Sequence, residues 1–77
     1  MDRVYLEKID PACNQMRFYV ISVAPTLFGG WTLVQEWGRI GSPGTVREDR
    51  FESEALTREA ALKLRARKER RGYRVTG

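Results

Sequence analysis

The chain has 77 residues with 14 Lys and Arg, 10 Asp and Glu, one Cys and no His, and its net charge is +4 at pH 7. This length supports one domain with one core. A single cysteine excludes an internal disulfide, and without histidine the chain lacks the commonest general base and metal ligand. We expect one soluble cytoplasmic domain over residues 1–77, with no cofactor, no metal, no membrane contact and no small-molecule substrate.

The positive charge is concentrated at the C-terminal end of the chain. Residues 63–77 hold seven basic side chains and one acidic side chain, a net charge of +6, whereas residues 1–62 hold seven basic and nine acidic side chains, a net charge of −2. Eleven of the 14 basic residues are Arg, which suits bidentate contacts to phosphate. Nucleic acid is the partner that this distribution favours, and an acidic protein surface is the alternative.

Four segments have the pattern of β-strands. Residues 4–9 alternate apolar and polar side chains, and Pro11 ends this segment. Residues 16–24 and 31–40 are rich in aromatic and β-branched residues, and residues 45–51 alternate charged side chains. The short connections at 25–30 and 41–44 contain Gly and Pro, so the strands are expected to form an antiparallel meander.

The pattern changes to that of a helix after residue 52. Ser53 or Thr57 can cap it, strong helix formers follow, and Gly72 fits the left-handed position after the last turn. The apolar residues form two sets, Leu56/Ala60/Leu64 and Ala55/Leu62/Ala66, and the pattern does not decide which set is buried. Residues 73–75 can add a final strand. The predicted fold is α+β: an antiparallel sheet of four to five strands with one helix packed across it.

Trp37 and Arg39 fall on the same face of the third strand, beside the turn at 41–44, provided that no bulge at Gly38 changes the register. One interpretation makes Trp37 a core residue. The other makes it an exposed aromatic ring that stacks on an unpaired base or a sugar while Arg39 binds phosphate. The position of Arg39 next to a hairpin tip favours the second interpretation.

Nothing in the sequence predicts an enzyme. Cys13 and the Ser and Thr residues have no histidine to activate them. Glu48 and Asp49 are consecutive strand residues, so their side chains point to opposite faces. The glycine-rich turn at 41–44 lacks the spacing of a phosphate-binding loop and joins two strands.

The segment Trp37-Gly38-Arg39, followed by Ile40, Gly41 and Gly44, resembles the signature of the WGR domain. This family occurs in poly(ADP-ribose) polymerases and in bacterial proteins similar to the molybdate-metabolism regulator. The resemblance extends from the aromatic segment at 17–19, through the turn and Trp at 28–31, to the basic ending at 68–73. It therefore covers most of the chain and fits a bacterial stand-alone WGR protein.

The resemblance implies a sheet with one helix across it and a domain that holds DNA near a strand break. Trp37 then stacks on the terminal sugar, and Arg39 is a contact or relay residue. No transferase domain is present in the 77 residues, so catalytic activity does not carry over. The candidate nucleic-acid-binding residues are Trp37, Gly38, Arg39, Arg17, Lys68, Arg71 and Tyr73.

The predicted function is therefore a non-catalytic nucleic-acid-binding module in the cytoplasm or nucleoid. DNA ends or breaks are its expected ligand, and RNA stays open. The alternative is an interaction adaptor whose Trp37 face docks a partner protein, because Trp and Arg are common anchors of protein interfaces.

Overall fold

Five antiparallel strands form one sheet in the computed structural model, which describes residues 2–77. The strand order is β4-β3-β2-β1-β5, and one helix follows β4 in the chain. The α+β fold is therefore confirmed. The elements are β1 (Arg3–Asp10), a short 3-10 turn (Pro11–Cys13), β2 (Gln15–Pro25), β3 (Trp31–Arg39), β4 (Thr45–Phe51), α1 (Glu54–Arg70) and β5 (Arg74–Val75).

The pairing of β2 with β3 is continuous through the signature segment. Gly38 pairs with Phe18, between the pairs Tyr19–Trp37 and Arg17–Arg39. No bulge interrupts the strand there, so Trp37 and Arg39 lie on the same face of the sheet, as predicted. We call this side, which α1 covers in part, the helix face, and the opposite side the open face.

The core lies between the sheet and α1. Val4, Leu6, Tyr19, Ile21, Val23 and Leu33 come from the helix face, and Ala61 and Leu64 come from α1. All eight are at most 6% exposed. Burial of this apolar surface is the main term that holds the helix on the sheet.

The buried stripe of α1 differs from both predicted sets. Its buried residues are Thr57, Ala61 and Leu64, whereas Leu56 and Leu62 are 50% and 58% exposed. The spacing of the buried residues, i, i+4 and i+7, is that of a single helix face. Thr57 can be buried because its hydroxyl donates a 2.7 Å hydrogen bond to the Ser53 carbonyl.

The ends of α1 have the predicted chemistry. Ser53, one of the two candidates, is the N-cap, and its Oγ accepts a 3.2 Å hydrogen bond from the Leu56 amide. Gly72 has φ +99° and stops the helix at the other end, a conformation that favours glycine. The chain then turns back along β1, where Val75 pairs with Leu6. Among residues 2–77, no helix is long and apolar enough to span a membrane.

Candidate functional site

Three aromatic rings meet on the helix face near the C-terminal end of α1. Trp37 on β3 stacks on Tyr19 of β2, with ring centroids 5.7 Å apart and ring planes 12° from parallel. Tyr73 meets Tyr19 edge-on at 5.9 Å. Tyr19 is 5% exposed and Trp37 is half-buried. The indole therefore packs against the core on one side, and the rest of it faces solvent.

A row of cations borders these rings towards the end of the sheet. Lys8, Arg17 and Arg39 are direct neighbours across β1, β2 and β3, on the same face as Trp37. Arg17 and Arg39 are exposed. Like charges opposite one another across strands are destabilising. A bound anion would relieve this repulsion.

The end of α1 adds a further cation above the rings. The Lys68 Nζ lies 4.4 Å from the Tyr19 ring centroid and 5.9 Å from that of Tyr73, so the ammonium makes cation–π contacts. Burial lowers the pKa of Lys68, and the neighbouring Arg71 and Arg67 lower it further. Lys68 is half-buried, whereas Arg67, Arg70 and Arg71 beside it are exposed.

The structure brings five of the seven predicted site residues together on one surface. This aromatic–basic surface consists of Lys8, Arg17, Tyr19, Trp37, Arg39, Lys68 and Tyr73. Arg71 lines a cleft beside this surface, and Tyr19 and Lys68 line the same cleft. Gly38 faces the opposite side, because it sits between Trp37 and Arg39 in an alternating strand.

Tyr19 and Lys8 are members of this surface that were not among the predicted site residues. Tyr19 lies two positions after Arg17, so strand alternation alone would have placed it on the same face. Lys8 is different, because its position next to Arg17 depends on the register between β1 and β2. No pattern within β1 indicates that register.

A cleft beside this surface separates the C-terminal half of α1 from β3 and β4. Its volume is about 420 Å³. The Tyr19 hydroxyl donates a 2.5 Å hydrogen bond to Gln35 Oε1, and Gln35 Nε2 donates a 3.3 Å hydrogen bond to Asp49 Oδ2. Arg47 Nε lies 3.2 Å from the same carboxylate oxygen. The lining residues are Tyr19, Leu33, Gln35, Arg47, Asp49, Ala60, Leu64, Arg67, Lys68 and Arg71.

The chemistry available on these surfaces is that of binding. Aromatic rings and guanidinium groups stack on planar groups and bind anions. Among residues 2–77, no three His, Cys, Asp or Glu side chains are placed to hold a metal ion. Cys13, which is free and exposed, lies in the turn between β1 and β2.

Two comparisons with known proteins gave a match. The sequence model of one family, the WGR domain, matches residues 2–77. A similar protein is the uncharacterized protein y4dW of Sinorhizobium fredii (strain NBRC 101917 / NGR234), 40% identical over 72 residues. The match covers 94% of this chain but 35% of that protein, so the chain spans about a third of its length. No solved structure is significantly similar.

Proposed function

Because the chain belongs to the WGR domain family, we propose that it is a non-catalytic module that binds nucleic acid and prefers DNA ends or breaks. The observation that carries this proposal is the aromatic–basic surface. The half-buried Trp37 lies there on the same face as three aligned cations, and the Lys68 ammonium lies over the Tyr19 ring on which Trp37 stacks. The general association of the family with nucleic-acid binding supports the same conclusion.

In the proposed complex, the aromatic side chains contact a sugar or base and the basic side chains contact phosphates. The exposed part of Trp37 stacks on a terminal sugar or an unpaired base, which is accessible at an end but covered by its neighbours within a duplex. Lys8, Arg17 and Arg39 bind phosphates of the same strand. Adjacent strands of a sheet are about 4.8 Å apart, so this row is about 10 Å long. That length corresponds to roughly three base steps at 3.4 Å each.

The experiment is a fluorescence anisotropy titration of the protein with nicked duplex, blunt duplex and circular duplex DNA. Trp37→Ala should weaken binding to nicked and blunt DNA by about 5- to 150-fold, because stacking contributes about 1–3 kcal/mol per base. Binding to circular duplex should change little. Emission of the unmodified protein should be quenched by nicked DNA, since Trp37 is one of two tryptophans.

Two controls separate stacking from loss of fold or charge. Trp37→Phe keeps an aromatic face and should retain most of the affinity. Lys63→Ala removes a cation that pairs with Glu59 at 3.0 Å on α1, and it should leave the preference for ends unchanged. An equal loss with Trp37→Ala on circular and nicked DNA would contradict the preference for ends.

A second candidate function, docking to another protein, has its own observation. The turn between β2 and β3 holds Leu27 and Phe28 almost wholly in solvent, 97% and 90% exposed. The Thr26 amide donates a 3.1 Å hydrogen bond to the Gly30 carbonyl across this turn. Large apolar side chains on an ordered turn are typical of protein contacts. The test is to isolate complexes of this protein from the native host after nuclease treatment. A protein complex that survives the nuclease and is lost in the double variant Leu27→Ser and Phe28→Ser would support this function.

A further inference from the structure

The cleft between α1 and strands β3–β4 has a strong excess of positive charge. Arg47, Arg67, Lys68 and Arg71 line it, and Asp49 is its single carboxylate. Among residues 2–77, Arg67, Lys68 and Arg71 have no carboxylate within ion-pair distance. The volume of the cleft, about 420 Å³, lies in the range of small-molecule sites, roughly 300–1,000 Å³. The cleft is therefore suited to an anionic ligand larger than a single ion.

Arg47 is the last member of a chain of hydrogen bonds in the cleft. The Arg47 Nε and Nη2 atoms each lie 3.4 Å from Asp49 Oδ1 and donate to it. Asp49 is held in turn by Gln35, and Gln35 by the Tyr19 hydroxyl. This chain of hydrogen bonds leads from the ring that stacks on Trp37 to the guanidinium of Arg47, across three strands.

The opposite edge of the Arg47 guanidinium is available to a ligand. Nε and one N–H of Nη2 are directed at Asp49, which leaves the N–H groups of Nη1 and the second N–H of Nη2. The Arg47 side chain is 66% exposed, so this edge is open. Two parallel N–H donors match the O6 and N7 acceptors of guanine, whereas adenine presents a donor in place of O6.

We propose that this cleft binds one unpaired guanine nucleotide, with O6 and N7 of the base against Arg47 and its phosphates near Arg67 and Arg71. The inference rests on the proposed function where the guanine is part of a DNA strand. Leu33, Ala60 and Leu64 are the aliphatic residues that line the cleft. The base must be unpaired, because a concave site between a helix and a sheet does not admit a base pair within a duplex.

The position of the cleft relative to Trp37 fits consecutive nucleotides. Trp37 pairs with Thr45, and Arg47 lies two residues farther along β4. Two residues in a strand span about 7 Å. A nucleotide stacked on Trp37 would therefore place its neighbour in the cleft.

The experiment measures anisotropy with a duplex that carries a short single-stranded overhang, varied at the nucleotide next to the junction. We compare guanine, 7-deazaguanine, hypoxanthine and adenine there. Guanine should bind about tenfold more tightly than adenine, as one good bidentate contact allows. Hypoxanthine, which keeps O6 and N7, should bind like guanine, and 7-deazaguanine should lose most of the gain. Equal affinity for all four bases would overturn the proposal.

Two matched variants test the role of Arg47. Arg47→Lys keeps the charge but not the fork of donors, so it should abolish the preference for guanine while the salt dependence stays the same. Arg50→Lys is the control, because Arg50 lies on the same strand but on the open face. Circular dichroism melting checks that both variants fold. A guanine preference that survives Arg47→Lys would overturn the proposal.

A competition experiment with free guanosine monophosphate tests whether the ligand is a guanine within a DNA strand or a free nucleotide. If guanosine monophosphate competes with DNA and adenosine monophosphate does not, the guanine site accepts a free nucleotide. This competition should be lost in Arg47→Lys. If neither DNA nor either free nucleotide binds, the proposed function and this inference both fail. If DNA binds with the expected dependence on Trp37 but without a preference for guanine, the inference alone fails.

Discussion

Gly38 and Gly44 stand opposite one edge of the Phe18 ring on the open face. A Cβ on Gly44 would lie 2.8 Å from Phe18 Cζ and 2.9 Å from the Trp37 carbonyl oxygen. A Cβ on Gly38 would lie 3.2 Å from the Gly44 Cα. The Gly of the signature segment therefore has a structural role. It lets β3 and the following turn pack closely over Phe18 while its two neighbours face the ligand side.

Gly44→Ala should destabilise the fold by about 1–3 kcal/mol, because the added methyl overpacks the space beside Phe18. Urea unfolding followed by circular dichroism measures the effect. Gly77→Ala is the matched control, since its Cβ would make an ordinary 3.8 Å contact with Tyr5. Phe18→Leu combined with Gly44→Ala should recover part of the loss. Equal stability of the two single variants would contradict this account of Gly44.

Single residues also show how far the sequence leads. Strand alternation correctly predicted that Trp37 and Arg39 share a face. It did not predict that Trp37 stacks on Tyr19, because that contact depends on the register between β2 and β3. Trp37 is both a core residue and an exposed one, because one side of its half-buried ring packs against Tyr19 at the margin of the core.

The helix illustrates the same limit for a whole element. Its start at the Ser53 cap and its stop before Gly72 follow from local chemistry, which a sequence displays. The buried face of α1 does not follow from local chemistry. Thr57 is buried although it carries a hydroxyl, and Leu56 and Leu62 stay exposed although they are larger and apolar. Only the position of α1 on the sheet decides among them. The position of Lys68 above the aromatic rings follows from the same packing.

The lowered pKa of Lys68, at the C-terminal end of α1, predicts how protein stability and DNA affinity each depend on pH. Burial, Arg71 and Arg67 hold the pKa of Lys68 below 10.5. In the absence of DNA, Lys68 keeps its proton to a higher pH in the unfolded chain than in the folded chain. The free energy of unfolding should therefore rise with pH between the folded pKa of Lys68 and 10.5. A bound phosphate favours the charged ammonium, so DNA affinity should fall as pH rises through the same window.

Lys68→Gln tests this linkage, because it removes the titrating group and keeps a side chain of similar length. Both pH dependences should become flatter in the variant between the folded pKa of Lys68 and 10.5. Tyr19 does not account for the rise in stability, because burial raises its pKa above 10.0 and its titration therefore lowers the free energy of unfolding as pH rises above 10. A DNA affinity that falls equally steeply in Lys68→Gln would show that another group takes up the proton.

Across the whole molecule, charge and shape are distributed unequally. The Cα trace measures 45 × 24 × 17 Å. The aligned cations and the basic end of α1 lie together on the helix face, whereas Glu36 and Glu48 lie on the open face. The molecule should therefore approach nucleic acid with one end of its helix face, and the Leu27–Phe28 turn then lies at the other end of β2 and β3.

This distribution predicts which cations contribute to the salt dependence of binding. With about five phosphate contacts, log K should fall with log[salt] at a slope near −4.5, or about 500-fold from 50 to 200 mM salt. Arg39→Ala should bring the slope near −3.6, because one contact contributes about −0.9. Arg50→Ala removes the same charge from the open face and should leave the slope unchanged. A slope that is flat, or that both variants change equally, would contradict binding through the helix face.

The place of Arg47 on an edge strand has a consequence for variants of this residue. Arg47 borders solvent, pairs with Asp49 on its own strand, and lies outside the core cluster. Substitutions at such positions usually change the free energy of unfolding by less than about 0.5 kcal/mol. A single substitution at this position should therefore change the proposed ligand preference of the cleft and leave the scaffold intact.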